Sequence, residues 1–141
     1  MAIAIPQKIQ QELVDLGVVA LYLFGSRAQG VAGPLADYDF GVLLDDPLRV
    51  QRSSFELYGK LYEILSKVTH PETLEADVID IVFLDSPRVS LELKFNIIRH
   101  GRVLFDSNPR RRVDAEERIM EAYCDFRPLL KMFDQAVLAR L

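Results

Sequence analysis

The sequence has a single cysteine, Cys124, and no tryptophan. One cysteine excludes an internal disulfide, so a reducing compartment and a fold held by its hydrophobic core are expected. No apolar run approaches the roughly 20 residues of a membrane-spanning helix, and the apolar segment after Met1 is too short for a signal peptide. We therefore expect a cytoplasmic protein with no membrane partner.

Positive charge is also scarce. The chain has 17 Lys and Arg against 21 Asp and Glu, which gives a formal net charge of -4. Binding to a nucleic-acid backbone depends on clustered basic side chains, so this balance argues against direct contact with nucleic acid. The length of 141 residues suits one domain, which at this size buries roughly two thirds of its unfolded surface.

The apolar pattern predicts alternating helices and strands. A helix after Pro6 ends at Gly17, and continuous apolar runs predict strands over 18–24 and 40–44. The next predicted elements are a helix with Phe55, Tyr58, Leu61, Tyr62 and Leu65 on one face, a strand over 77–84, a helix capped by Ser86 and Pro87 that ends at Gly101, and a strand over 102–105. The class predicted is α/β (α+β), a small mixed sheet covered by helices.

The C-terminal segment predicts a helical tail. A loop with Pro109 and a solvated run over 110–112 is expected to precede a helix that starts near Asp114, with Glu117 completing a capping box, and that Pro128 kinks or divides. We therefore predict a main domain over 1–108 and a helical extension over 109–141. The tail has more apolar positions than one narrow stripe can hold: Ile119, Met120, Tyr123, Phe126, Leu129, Leu130, Met132, Phe133, Val137 and Leu138. These side chains can pack on the main domain or bind a partner, and the sequence favours neither.

The stretch LFGSRAQGVAGPLADYDFGVLL, residues 23–44, ends one predicted strand with Gly25-Ser26. Gly25 and Gly30 have the glycine spacing of a P-loop, but the Lys and Ser or Thr of that motif are missing. A residue without Cβ lets a phosphate approach the backbone, and a hydroxyl with exposed N–H groups can bind its oxygens. Gly25-Ser26 is therefore a candidate phosphate-binding turn, with an ordinary turn as the alternative.

The same stretch opens the next strand with two aspartates. Asp37 and Asp39 project from one face at about 6.6 Å along the strand, so both carboxylates can bind one cation such as Mg²⁺. Asp80, within an apparently buried apolar strand, is the best candidate for a third ligand, and Asp77 is less favoured. A solvated strand start and a buried hydrogen-bond acceptor are the alternatives. Three carboxylates together repel by about 4 kcal/mol per pair at 4 Å and an effective dielectric near 20, and a cation relieves this repulsion.

These residues carry a family resemblance. Gly25-Ser26, ten intervening residues and Asp37-x-Asp39 match the Gly-Ser-x10-Asp-x-Asp signature of the DNA polymerase β-like nucleotidyltransferase superfamily. With a third Asp in the next apolar strand, the chain resembles the minimal nucleotidyltransferases (MNT), the antitoxin partners of HEPN toxins. The segments ADVIDIVFLDS and LKFNIIRHGRVLFD are similar to the third-strand and following-helix region of MntA-type antitoxins. Ala36 departs from the pattern, since the family usually has Ser there.

The resemblance implies a polymerase β-like fold and a protein adenylyltransferase. Such an antitoxin transfers AMP from ATP to a tyrosine hydroxyl of its cognate HEPN ribonuclease toxin, releases pyrophosphate, and forms a hetero-oligomer with the toxin. In the implied site, Asp37 and Asp39 bridge two Mg²⁺ (or Mn²⁺) ions, and Asp80 binds the catalytic ion and orients the acceptor hydroxyl. Gly25, Ser26 and Arg27 bind the phosphates of ATP. A non-catalytic antitoxin that masks its toxin and a small-molecule nucleotidyltransferase remain alternatives.

Overall fold

The structure is a computed structural model that describes residues 3–25, 28, 30, 37–69 and 79–139. The elements follow in the order α1 (Gln7–Asp15), β1 (Val18–Phe24), β2 (Tyr38–Leu44), α2 (Leu48–Thr69), β3 (Ile79–Phe83), α3 (Leu91–His100), β4 (Arg102–Asp106) and α4 (Pro109–Leu138). This order confirms the predicted α+β class. In the part of the chain so described, no helix is long and apolar enough to cross a membrane.

The four strands form one mixed sheet in the order β3-β2-β1-β4. β1 pairs antiparallel with β2 and β4, whereas β2 and β3 are parallel. β3 is therefore an edge strand, reached from β2 through the long crossover that contains α2. The strand pairing places Phe24 opposite Asp39, and Asp39 opposite Asp80.

Helices cover both faces of the sheet. α1 and α2 pack on one face against a core that includes Leu21, Phe40 and Ile81. α3 and α4 cover the other face, where Tyr22 is buried. At Gly41 on that face, a Cβ would lie 2.8 Å from Cγ2 of Ile97, so the glycine lets α3 approach the sheet closely.

The start of α3 differs from the prediction. Ser86 and Pro87 lie in a turn before the helix, where the Ser86 hydroxyl accepts a hydrogen bond from the N–H of Arg88 at 3.2 Å. The N-cap is Ser90, whose hydroxyl accepts from the N–H of Leu93. Two serines four residues apart carry the same capping chemistry, so local sequence does not separate them. The predicted end is confirmed, since Gly101 is the C-cap.

The start of α4 also differs from the prediction. The helix begins at Pro109, and the side chain of Asn108 caps it by accepting from the N–H of Arg111 at 3.1 Å. The predicted loop around Pro109 and the start near Asp114 are therefore wrong, because Asn-Pro supplies an N-cap and a first-turn proline five residues earlier. The helix continues through Pro128, so the predicted division there does not occur.

Two arginines of the run expected to be solvated instead bind the body of the protein. Arg112 donates from Nε to Asp106 Oδ2 at 2.6 Å and from Nη1 to Glu116 Oε1 at 2.9 Å. The same Glu116 oxygen accepts the hydroxyl of buried Tyr22 at 2.6 Å. This network fastens the first turns of α4 to β4 and β1.

Arg111 makes a second attachment. Its Nη2 donates to the carbonyl of Leu44 and to Asp85 Oδ1, and Asp85 in turn accepts the N–H of Leu44. Arg111 therefore joins α4 to the end of β2 and to the turn after β3. The prediction of a solvated run is wrong for Arg111 and Arg112, and only Arg110 is exposed.

The apolar positions of α4 divide between the core and the surface. Ile119 is buried, and Tyr123 stacks on Phe95 of α3 with ring centroids 3.9 Å apart. Met120 and Met132 are 50% and 65% exposed. Phe126 is exposed as well, whereas the side chains of Leu129, Leu130, Phe133, Val137 and Leu138 lie outside the described part of the protein.

We predict that Arg112→Ala lowers the free energy of unfolding by about 1–3 kcal/mol, because it leaves the carboxylates of Asp106 and Glu116 without their charged donor. Arg110→Ala is the matched control, since it removes a neighbouring exposed guanidinium. Urea unfolding followed by circular dichroism measures both. Equal stability of the two variants would contradict the assigned anchoring role.

Candidate active site

Three aspartates meet at one end of the sheet. Asp37 directly precedes β2, Asp39 is the second residue of β2, and Asp80 is the second residue of β3. Asp39 and Asp80 are partners in the parallel register, so their side chains project from the same face of strands about 4.8 Å apart. Asp37, two residues before Asp39, shares that face. The structure thus brings together the three residues that the sequence proposed as a set.

The environment of Asp80 differs from the expectation of a buried position. Ile79 and Ile81 are buried against α2, but Asp80 is exposed on the opposite face of the edge strand. The apolar residues around Asp80 are buried on one face of β3 only, so the prediction of a buried aspartate was wrong. Asp77, the weaker candidate, lies outside the described residues.

Asp39 is half-buried and electrostatically crowded. Its pKa is raised above the ordinary value of 3.8, first by burial and then by the negative charges of Asp80 and Asp37. The carboxylates of Asp80 and Asp37 therefore act on Asp39 through space, in addition to the effect of burial. A nearby cation would act in the opposite direction, because it favours the charged form of a carboxyl group.

Gly25 makes room for the carboxylate of Asp39. Its φ is +76°, and a Cβ at this position would lie 2.5 Å from Asp39 Oδ2. The glycine is thus required by the conformation of the turn and by the neighbouring side chain, a role that the sequence pattern did not reveal. The two residues predicted to bind phosphate beside it, Ser26 and Arg27, lie outside the described residues.

The three aspartates fit a divalent cation in donor type and in their shared face. Mg²⁺ binds oxygen ligands and in such sites usually combines a few carboxylates with substrate phosphates. Among the residues that the structure describes, no three acidic, His or Cys side chains are placed so that they could hold a metal ion. The three aspartates therefore share a face and a donor type but do not form a metal site by themselves.

Tyr58 of α2, predicted from helical spacing to be a packing residue, is a neighbour of the aspartates. Its hydroxyl accepts a hydrogen bond from the backbone N–H of Ile81 on β3. The pKa of Tyr58 is raised, first by burial and then by the charge of Asp80. Tyr58 thus reaches the free edge of β3 beside the aspartates. Helical spacing placed its ring on the core face of α2 but contained no signal for the contact of its hydroxyl.

Comparison with known proteins assigns the family. Residues 7–110 match the family described as "Polymerase beta, Nucleotidyltransferase", and the chain belongs to this family. The match covers the whole sheet and the candidate site. No curated protein matches the sequence.

Solved structures share the fold. A chain from a toxin–antitoxin crystal structure with AMP-PNP is 21% identical, with a TM-score of 0.63 over 92% of this chain and 98% of that one. A chain from a tri-AMPylated Shewanella oneidensis HEPN toxin in complex with MNT antitoxin is 18% identical, with a TM-score of 0.60 over 94% and 98%. A chain from an MntA-HepT toxin–antitoxin is 20% identical, with a TM-score of 0.57 over 94% and 99%. At these identities the likeness establishes the polymerase β-like fold.

We predict that Gly25→Ala weakens binding of Mg²⁺-ATP by at least about 10-fold, because the added methyl group would displace the carboxylate of Asp39. Gly30→Ala is the matched control. Gly30 also has positive φ, +73°, but among the described residues no atom would lie within 4 Å of its Cβ. Both variants strain the backbone, so calorimetric ATP titration isolates the effect of the clash. Equal loss of affinity would show that strain alone matters.

We predict that Asp39→Asn raises the melting temperature at pH 7 in the presence of a chelator. The pKa of Asp39 is higher in the folded state, so the folded state binds the proton more tightly and this group makes stability fall as pH rises from about 4 through its raised pKa. Asparagine removes that cost. The gain over wild type should shrink toward pH 4, and thermal melts at both pH values measure it. A constant difference would argue against charge repulsion as its origin.

Proposed function

We propose that this chain is a metal-dependent adenylyltransferase and antitoxin that transfers AMP from ATP to a tyrosine hydroxyl of a HEPN ribonuclease toxin. The observation that carries this proposal is the common face of Asp37, Asp39 and Asp80 beside Gly25, in a chain of the nucleotidyltransferase family. Similar structures support the substrate and the partner, since one is a toxin–antitoxin with AMP-PNP and another contains a tri-AMPylated HEPN toxin. The proposed complex is a cytoplasmic hetero-oligomer.

Each residue has a chemical task in this proposal. Asp37, Asp39 and Asp80 would hold the Mg²⁺ or Mn²⁺ ions, with Asp80 on the side of the acceptor. The bound ions would supply Lewis-acid stabilisation of the entering and departing oxygens. Gly25, Ser26 and Arg27 bind the phosphates of ATP, so that pyrophosphate is aligned as the leaving group.

The acceptor side of the site depends on Asp80. The tyrosine oxygen forms a bond to the α-phosphorus, the bond from that phosphorus to the α–β bridging oxygen breaks, and pyrophosphate leaves. The phenolic proton passes by way of the Asp80 carboxylate to solvent. Asp80 orients the hydroxyl and accepts its hydrogen bond. Because Asp80 is exposed on an edge strand, a tyrosine carried by another folded protein can reach it.

We predict that Asp39→Asn and Asp80→Asn each lower AMP transfer by at least about 100-fold while the complex with the toxin persists. The substitution keeps the side-chain shape and removes one charge that would hold the metal. Asp15→Asn, at an exposed position of α1, is the control carboxylate and should transfer normally. Labelled ATP with purified toxin measures transfer, and chelator should abolish it until Mg²⁺ or Mn²⁺ is restored.

Other outcomes would redirect the proposal. A tightly bound but unmodified toxin with the wild-type chain would favour the masking antitoxin. Wild-type transfer by Asp39→Asn would refute the assignment of the carboxylates. An active Asp80→Asn together with an inactive Asp77→Asn would move the third ligand to Asp77.

A further inference from the structure

A groove of about 540 Å³ lies along the free edge of β3, between α2 and the turn that follows β3. Val50, Phe83 and Pro87 supply apolar surface, and Phe55, Tyr58 and Arg88 also line it. The chemistry proposed above uses none of these six residues. The groove therefore needs an explanation of its own.

Phe55 is the unusual member of this set. Its side chain is 93% exposed, although the sequence pattern placed it on the buried face of α2. The buried stripe of α2 after Ser53 runs through Leu57, Leu61 and Leu65, and Phe55, two residues before Leu57, lies on a different face of the helix. A large aromatic side chain exposed beside an apolar groove is typical of a surface that binds another protein.

The groove lies beside the candidate active site, along the same strand. Tyr58 lines the groove, and its hydroxyl binds the backbone of Ile81, the residue next to Asp80. Phe83, which also lines the groove, is three residues beyond Asp80, a distance of about 10 Å along the strand. Phe83 and Asp80 project from opposite faces of β3, and side chains of an extended segment also alternate between faces. A segment along the edge of β3 can therefore place one side chain in the groove and another, three residues away, beside Asp80.

Charge defines the occupant further. Among the described residues, Arg88 is the only basic side chain that lines the groove, and its guanidinium forms no ion pair with any of them. Asp80, toward the other end, is acidic. A fitting segment therefore has an acidic side chain toward Arg88, an apolar side chain against Phe55, and an uncharged residue at Asp80.

We propose that this groove holds the acceptor segment of the toxin, an extended stretch that lies along β3 and presents its tyrosine to Asp80. The inference rests on the proposed function, because it assigns the acceptor site of that reaction. Affinity for the segment comes from the apolar contact with Phe55 and Phe83 and from an ion pair with Arg88. The carboxylates and the phosphate-binding turn contribute to nucleotide binding instead.

Phe55→Ala and Arg88→Glu test this assignment, with Val14→Ala as control. Val14 is an exposed apolar residue on α1, so its replacement also removes surface hydrophobicity. We expect both groove variants to raise the KM for purified cognate toxin by about 10-fold or more, with kcat and the Kd for Mg²⁺-ATP unchanged. Val14→Ala should match wild type in all three quantities. Because Phe55 and Arg88 are at the surface, melting temperatures should stay close to wild type.

The alternatives are distinguishable. An unchanged KM in both groove variants would overturn the proposal, and weaker ATP binding by Phe55→Ala would overturn it by assigning the groove to the nucleotide. If the wild-type chain binds toxin without transferring AMP, the proposed function fails, and the Kd for the toxin then decides the groove. A 10-fold weaker Kd for Phe55→Ala would retain the groove as a toxin-binding surface, whereas an unchanged Kd would overturn both proposals.

Discussion

The parallel pairing of β2 with β3 is the constraint on which the site depends. It sets Asp39 beside Asp80, while the antiparallel pairing of β1 with β2 brings Gly25 to the same end of the sheet. A parallel pair requires a long crossover, and α2 lies within it. The same crossover carries Tyr58 to the outer edge of β3, so one pairing produces both the cluster of aspartates and the groove beside it.

The fold must hold this cluster together against its own repulsion. Carboxylates 4 Å apart repel by about 4 kcal/mol at an effective dielectric near 20, and burial of Asp39 adds to the cost. The opposing interactions are the cores on both faces of the sheet and the network that joins Arg112 and Glu116 to Tyr22. Phe40 and Ile81 of the core are direct neighbours of Asp39 and Asp80, so buried residues of the same strands hold the aspartates in place.

Features that depend on local sequence were predicted better than features that depend on long-range contacts. The bounds of β1 and the grouping of three aspartates followed from apolar runs and spacing, because these features are written within short stretches of sequence. The pairing of Arg112 was missed because its partners, Asp106 on β4 and Glu116 on α4, are unremarkable in sequence until the sheet brings Tyr22 to Glu116. Phe55 was misplaced because the predicted face of α2 was centred too near Tyr58 and Tyr62, whereas the buried positions are Leu57, Leu61 and Leu65.

The two sides of the candidate site differ in access. Asp39 is half-buried on a central strand, and its carboxylate lies where a Cβ at position 25 would be, so there is little free space around it. Asp80 is exposed on an edge strand, where the next position outward is solvent or the groove. A nucleotide has a fixed shape and suits the enclosed side, whereas an acceptor on a folded protein needs an approach along an open edge. The sheet order, with β3 outermost, therefore favours a macromolecular acceptor over one that must be fully enclosed.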